Sequence, residues 1–210
     1  IDGYSVVFLT SKLVLTHEEC VKLRSYVENG GVVICDGKTG IIDENSMLLS
    51  ELPGGEANDL FGWEFMDADY TDLTFSFGGK EYDGFFGRDL AELRGGECIA
   101  KYSDGHAAVI RKRYGKGAVI SITSYHYYGY AKNGSNLRCL TETVAEIYGL
   151  RTYSVTSPLK VRICENDGYI AAFVFNYTDA EVCGSIRAAG ISRDVTVPAN
   201  DVVIITEAKK

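Results

Sequence analysis

Two apolar runs flank an amphipathic segment at the start of the chain. The runs are residues 4–9 and 32–35, and both are continuously apolar, which is typical of strands covered on both faces of a parallel sheet. Between them, Thr16 and Glu19 have the spacing of a capping box, and Gly30 supplies a left-handed stop. The pattern predicts strand, helix, strand, and we expect a right-handed βαβ unit.

The middle of the chain consists of short apolar segments separated by turn residues. Residues 36–62 are rich in Gly, Pro, Asn and acidic side chains, which indicates a long connection. We expect inserted hairpins beyond it, on or beside the sheet, with strands at 73–77, 80–85, 97–102, 107–113 and 118–123. A helix ended by Gly149 follows, and its apolar face is made of Leu137, Leu140, Val144 and Ile147.

The pattern changes to β structure alone after Arg151. Short apolar runs separated by turn signals predict strands at 160–164, 169–175, 181–186, 194–197 and 202–205. The sequence therefore predicts an α/β domain over 1–152 and a small all-β domain over 153–210. So few residues bury little surface, and we expect the second domain to lean on the first.

Composition narrows the function classes. The net charge of -8 repels phosphate backbones, and the one dense basic cluster, 111–113, is small, so we expect no nucleic-acid partner. No run approaches the roughly 20 apolar residues of a membrane span, so we expect no membrane partner. The six cysteines lack zinc-site spacing, which predicts no bound metal. Their irregular spacing favours free thiols in a reducing cytoplasm over the disulfides of a secreted protein. We also expect no cofactor.

Three segments carry a resemblance to a known family. They are residues 3–33, the loop Gly-Ile-Ile-Asp-Glu-Asn at 40–45, and Arg-Tyr-Gly-Lys-Gly at 113–117 before a strand. In this order and spacing they resemble the trimerisation domain of microbial β-galactosidases of glycoside hydrolase family 42. The ending is similar to the small C-terminal β-domain of that family, through Phe-Val-Phe-Asn-Tyr-Thr at 173–178 and the strands after it.

The resemblance implies a fold and an assembly function. The fold is a class I glutamine amidotransferase-like, flavodoxin-like, three-layer α/β sandwich that has lost catalysis and packs subunits around a threefold axis. The catalytic glutamates of the family lie on an upstream barrel, so no residue here inherits a catalytic role. That domain opens with an earlier strand, helix and strand, so we expect an N-terminally truncated, non-catalytic module of a β-galactosidase-like homotrimer.

A Cys-dependent amidotransferase-like hydrolase is the first alternative. Cys35 ends an apolar strand, much like the nucleophile of the amidotransferases, and His126 follows another strand near the place of their base. Val33 replaces the glycine two positions before that nucleophile. Tyr127 and Tyr128 follow His126 in place of a glutamate two residues on. These departures favour ordinary strand-end packing for Cys35 over a dyad.

A carbohydrate-binding module is the second alternative. A run of tyrosines could stack on sugar rings, because tyrosine combines a flat apolar face with a polar tip. The same residues could instead line an interface or pack a loop, and the sequence favours that interpretation. The run consists of Tyr125, Tyr127, Tyr128 and Tyr130.

Overall fold

The fold is described from a computed structural model. It defines residues 1, 3–71, 73–84, 86–125, 135–150, 153–188 and 190–209, and of residues 135–139 the backbone alone. The chain divides into two compact units, Ile1–Thr143 and Val144–Lys210. The predicted boundary between 152 and 153 stays a prediction.

Most of the described secondary structure is β. The helices are α1 (His17–Glu28), α2 (Glu56–Phe61) and α3 (Ser135–Tyr148). The strands of the first unit are β1 (Val6–Leu9), β2 (Val32–Cys35), β3 (Trp63–Asp69), β4 (Thr74–Phe77), β5 (Lys80–Asp83), β6 (Arg88–Leu93), β7 (Glu97–Lys101), β8 (Ala107–Tyr114) and β9 (Gly117–Ile122). Those of the second are β10 (Ser154–Val155), β11 (Lys160–Glu165), β12 (Tyr169–Asn176), β13 (Val182–Ala188), β14 (Ile191–Val197) and β15 (Asp201–Ala208).

A five-stranded sheet with the order β1-β2-β9-β8-β7 runs through the first unit. β1 and β9 both pair with β2 in parallel, and β8 pairs with β9 and β7 in antiparallel fashion. The predicted strand, helix, strand order is confirmed. The prediction that the segments at 97–102, 107–113 and 118–123 are inserted hairpins is wrong. They belong to the main sheet, because β9 is apolar and buried along its whole length and pairs with β2.

The capping box of α1 forms as the sequence predicts. The Thr16 hydroxyl accepts a hydrogen bond from the backbone N–H of Glu19, at 3.2 Å, and the Glu19 carboxylate accepts one from the backbone N–H of Thr16, at 3.0 Å. Together they satisfy two N–H groups at the helix start. One face of the helix is buried and consists of Cys20, Leu23, Tyr26 and Val27.

One helix, α2, and three strands, β3, β6 and the two-residue β10, were not predicted. α2 lies in the segment 36–62, where Leu60 and Phe61 are fully buried and anchor it. β3 and β6 pair with each other in a separate two-stranded sheet, as do β4 and β5. β3 and β6 carry several charged residues, because much of their surface faces solvent, and this charge hides their β character in the sequence.

Beyond the end of α3, the described elements of the second unit are all strands. Two antiparallel three-stranded sheets, β10-β13-β14 and β11-β12-β15, share one apolar core. β12 alternates strictly between buried and more exposed positions, so one face of it packs into this core.

The side chain of Asn176, at the end of β12, is almost wholly buried. Its amide nitrogen lies within hydrogen-bonding distance of the carbonyl oxygens of Ala180, Val197 and Pro198, at 2.8, 3.0 and 2.9 Å, so its two hydrogens are shared among three acceptors. Its oxygen accepts from the backbone N–H of Thr178 at 2.9 Å. The amide therefore holds together the turns on either side of the β12 end.

Candidate functional site

Three parallel strands, β1, β2 and β9, end at the same edge of the main sheet, and polar residues follow each end. In open α/β sheets this edge is where ligands bind. The Ser11 backbone N–H donates to the Asp36 carboxylate at 3.0 Å, and the Gly37 N–H donates to the Ser124 carbonyl oxygen at 3.1 Å. Asp36 and Ser124 are buried. The three strand ends are thus tied together by hydrogen bonds.

Cys35 lies at this edge but is not exposed to it. The residue is 1% exposed, and its Sγ lies 3.2 Å from the Ser121 hydroxyl. Burial raises the pKa of the Cys35 thiol to about 12. The thiol is therefore protonated at neutral pH, and a nucleophile needs the thiolate. His126, its predicted partner, lies outside the described residues.

Thiol labelling tests this interpretation. In the folded chain we expect iodoacetamide to modify the exposed Cys164 and Cys183 while the buried Cys20 and Cys35 stay unmodified. Burial also raises the pKa of Cys20, to about 11, so both buried thiols lack thiolate and access. Mass spectrometry of peptides after labelling at neutral pH, with a urea-unfolded control in which all four react, measures the difference. Labelling of Cys35 as fast as that of Cys164 would contradict the interpretation that the Cys35 thiol is buried and protonated.

A buried arginine stands beside the strand ends. The Arg88 side chain is 2% exposed, and its guanidinium donates to the carboxylates of Asp69, at 2.6 Å, and Asp104. It also lies over the ring of Tyr102, 4.7 Å from the ring centre. Hydrogen bonds from Thr71 and Arg88 lower the pKa of Asp69, and the bond from Arg88 lowers the pKa of Asp104. Both carboxylates therefore remain charged well below neutral pH.

A second ion pair joins β6 to the loop after β2. The Lys38 ammonium pairs with the Asp89 carboxylate, and the Asp89 backbone N–H donates to the Thr123 carbonyl oxygen at 2.6 Å. Burial raises the pKa of Asp89, while the neighbouring Lys38 opposes that shift. Lys38 has a φ of 68°, a left-handed conformation that non-glycine residues seldom adopt.

The sequence did not single out either ion pair. The members of each are far apart along the chain, and nothing in the local pattern distinguishes Arg88 or Asp89 from surface charges. Tyr125 lies at this edge, whereas Tyr127, Tyr128 and Tyr130 lie outside the described residues. In the described ranges, no cluster of three or more His, Cys, Asp and Glu side chains is arranged to hold a metal ion. Nor does any helix there have the length and apolar character of a membrane span.

One lateral edge of the main sheet is formed by an apolar strand. β1 is the terminal strand of the sheet order, and within the described part of the chain its one strand neighbour is β2. A groove of about 590 Å³ lies next to it, lined by Val7, Leu9, Leu15 and Leu23 together with charged residues of α1. Phe8 in β1 is 36% exposed. An apolar edge strand of this kind can pair with another chain.

Comparison with known proteins gives the family. The family model of the β-galactosidase trimerisation domain matches residues 1–151. A curated relative, β-galactosidase BgaB of Geobacillus sp. (strain Y412MC61), is 28% identical over 191 residues, which are 87% of this chain. The chain spans only 28% of the length of that relative.

Solved structures show the same fold. Gan42B, a GH42 β-galactosidase from G. stearothermophilus, superimposes with a TM-score of 0.76 at 16% identity, over 99% of this chain and 32% of that one. The β-galactosidase from Bacillus circulans sp. alkalophilus gives a TM-score of 0.79 at 20% identity, over 98% and 33%. The resemblance read from the sequence is therefore confirmed. The chain belongs to the β-galactosidase trimerisation domain family.

Proposed function

We propose that this chain is the non-catalytic assembly module of a larger β-galactosidase-like glycoside hydrolase, and that it joins copies of the enzyme into a homotrimer. The family match over residues 1–151 carries the proposal. The relatives that the chain matches are more than three times its length, because it spans 28% of them. The catalytic barrel is the partner that the rest of such a protein would supply.

The chemistry of the first unit supports a non-catalytic role. A glycosidase needs two carboxyl groups about 5 to 9 Å apart that face the substrate. At the carboxyl edge of the sheet, Asp69 and Asp104 are engaged by Arg88, and Asp89 is engaged by Lys38. The protonated, buried Cys35 argues against the hydrolase alternative as well. The comparisons favour neither that alternative nor a dedicated carbohydrate-binding module.

The finer description of the fold is part of the proposal. We assign the first domain, 1–152, to a reduced amidotransferase-like, flavodoxin-like sandwich, and 153–210 to the small β-domain that follows it. The parallel strands β1, β2 and β9, with α1 connecting the first two, support this assignment. The free cysteines of the described part of the chain are in keeping with a cytoplasmic location.

The oligomeric state of the chain tests the proposal. We expect light scattering after size exclusion, at tens of micromolar, to give a mass near three times 23.0 kDa, with no hydrolysis of a chromogenic galactoside. A lysine on an edge strand opposes pairing with another chain. Phe8→Lys in β1 should therefore weaken the association, whereas Val21→Lys, at an exposed position of α1, should leave it unchanged.

Two results would contradict the proposal. One is a stable monomer of the unaltered chain at that concentration. The other is galactoside hydrolysis that is lost on mutation of a residue within this chain.

A further inference from the structure

A cavity opens at the carboxyl edge of the main sheet. Its volume is about 380 Å³, near the lower end of the range for small-molecule sites. Strand ends, the β2 loop and the β3-β6 sheet all contribute to its walls. The lining residues are Lys38, Ala68, Tyr70, Phe86, Gly87, Arg88, Asp89 and Tyr125. A volume of this size suits one small ring rather than an extended chain.

The aromatic part of the lining is exposed. Tyr70 is 76% exposed and Phe86 is 62% exposed, although large aromatic side chains usually bury most of their surface. Both residues stand at the rim of the same cavity as Tyr125. Flat apolar faces at the mouth of a cavity suit a ligand that has a flat apolar face of its own.

The polar part of the lining is buried and rigid. Arg88 and Asp89 are 3% and 4% exposed, and each is fixed by an ion pair across the cavity wall. Two lining residues, Lys38 and Phe86, have φ angles of 68° and 55°. Left-handed non-glycine residues are strained, and such residues concentrate at functional sites. The cavity thus combines fixed polar groups with strained backbone.

The balance of charge selects the class of ligand. An anion would have to compete with the carboxylates of Asp69, Asp89 and Asp104 for Arg88 and Lys38. A cation would meet Lys38 and Arg88 in the wall, and a purely apolar ligand would make no use of the polar part of the lining. A neutral ring with hydroxyl groups meets all the constraints, because it stacks on aromatic faces and both donates and accepts hydrogen bonds.

We propose that this cavity binds a single neutral saccharide unit, with Tyr70 and Phe86 stacking on the ring and Asp89 and Arg88 contacting its hydroxyl groups. The site is a local one within an assembly module. The proposal does not depend on the oligomeric state or on the tyrosines at 127, 128 and 130.

Nuclear magnetic resonance titration of the whole chain tests the proposal. Methyl β-galactoside, methyl β-glucoside and methyl α-mannoside serve as neutral probes, with galacturonate and galactosamine as charged probes of the same size. We expect at least one neutral probe to shift the backbone amides of Lys38, Gly87 and Asp89 at millimolar concentration. Weaker binding of both charged probes is expected.

Variants at the rim test whether binding depends on stacking against the aromatic residues of this cavity. Tyr70→Ala and Phe86→Ala should each weaken binding by about tenfold, because each removes one stacking face. Tyr4→Ala removes a tyrosine that is 70% exposed away from the cavity lining, and it should leave binding unchanged. Light scattering on each variant keeps this result separate from assembly, since the oligomer should persist.

Three outcomes would overturn the proposal. The first is the absence of amide shifts with all three neutral probes, and the second is tighter binding of galacturonate or galactosamine. The third is binding that Tyr70→Ala and Phe86→Ala leave unaffected.

Discussion

Replacing Gly117 with alanine is expected to destabilise the first unit by about 3 kcal/mol or more. Gly117 begins β9 where this strand passes the turn between α1 and β2. A Cβ atom there would lie well inside van der Waals contact with the carbonyl oxygens of Val27 and Gly31. Both are backbone atoms. To relieve the clash, the end of α1 and the segment before β2 would have to shift, which is harder than the movement of a flexible side chain.

Thermal unfolding followed by circular dichroism measures the effect, and a loss of this size lowers the midpoint by about 6 to 12 °C. Gly105→Ala is the matched control. Gly105 has a φ of 94°, but nothing lies within 4 Å of its would-be Cβ, so it reports the cost of the backbone conformation alone. That cost is about 1 kcal/mol. Equal losses for the two variants would show that the close approach at Gly117 is unimportant.

Replacing Arg88 with methionine is expected to cost about 2 to 3 kcal/mol. The change keeps most of the side-chain volume but leaves the carboxylates of Asp69 and Asp104 without their shared cation. Breaking a buried pair in this way costs more, about 3 to 5 kcal/mol, when both partners are fully buried. Here the side chains of Asp69 and Asp104 are 29% and 40% exposed, so solvation of the carboxylates reduces the loss of stability.

The effect of Arg88→Met on stability should become smaller at low pH. The pKa values of Asp69 and Asp104 are lowered in the folded chain, so the stability they contribute is present above the ordinary aspartate pKa. It is lost as the pH falls through the lowered values. The difference in unfolding free energy between Arg88→Met and the unaltered chain should therefore narrow below about pH 4. Urea titrations at pH 7 and pH 3 compare the two.

Arg94→Met is the control for Arg88. Arg94 pairs with Glu64 and Glu92, but its side chain is 49% exposed, and exposed ion pairs contribute about 1 kcal/mol or less. If Arg94→Met lowered the free energy of unfolding as much as Arg88→Met, burial of the guanidinium would not explain the effect at Arg88. If the free energy of unfolding lost in Arg88→Met were the same at pH 7 and pH 3, the carboxylates of Asp69 and Asp104 would not be its cause.

Local pattern was enough to predict the elements whose burial follows a regular period along the chain. β2 and the buried face of α1 follow from apolar runs and helical spacing, and the Thr16 cap follows from residue type and position. The longer strands of the second unit were equally readable, because β12, for example, alternates strictly and its flanking turns carry turn-forming residues. In each case the physical cause lies within a few neighbouring residues.

Sheet membership and the candidate site depend on contacts that local pattern does not encode. β8 and β9 form a hairpin in either arrangement, and only the pairing of β9 with β2 places them in the main sheet. Likewise, Arg88 meets Asp104 and Asp69 only because β3 and β6 pair and carry it to that edge. The sequence shows these residues as charges in or near loops, and the fold turns them into a buried cluster.

The buried amide at the end of β12 bears on how this protein behaves in a eukaryotic secretory host. Asn176-Tyr177-Thr178 is an acceptor triplet for N-linked glycosylation. Glycan transfer takes place on the amide nitrogen, and in the folded chain that nitrogen is buried and committed to three carbonyl oxygens. Once the second unit has folded, this triplet is closed to modification. A glycan attached earlier would replace one of the two amide hydrogens, so the full set of contacts to the three carbonyl oxygens could not form.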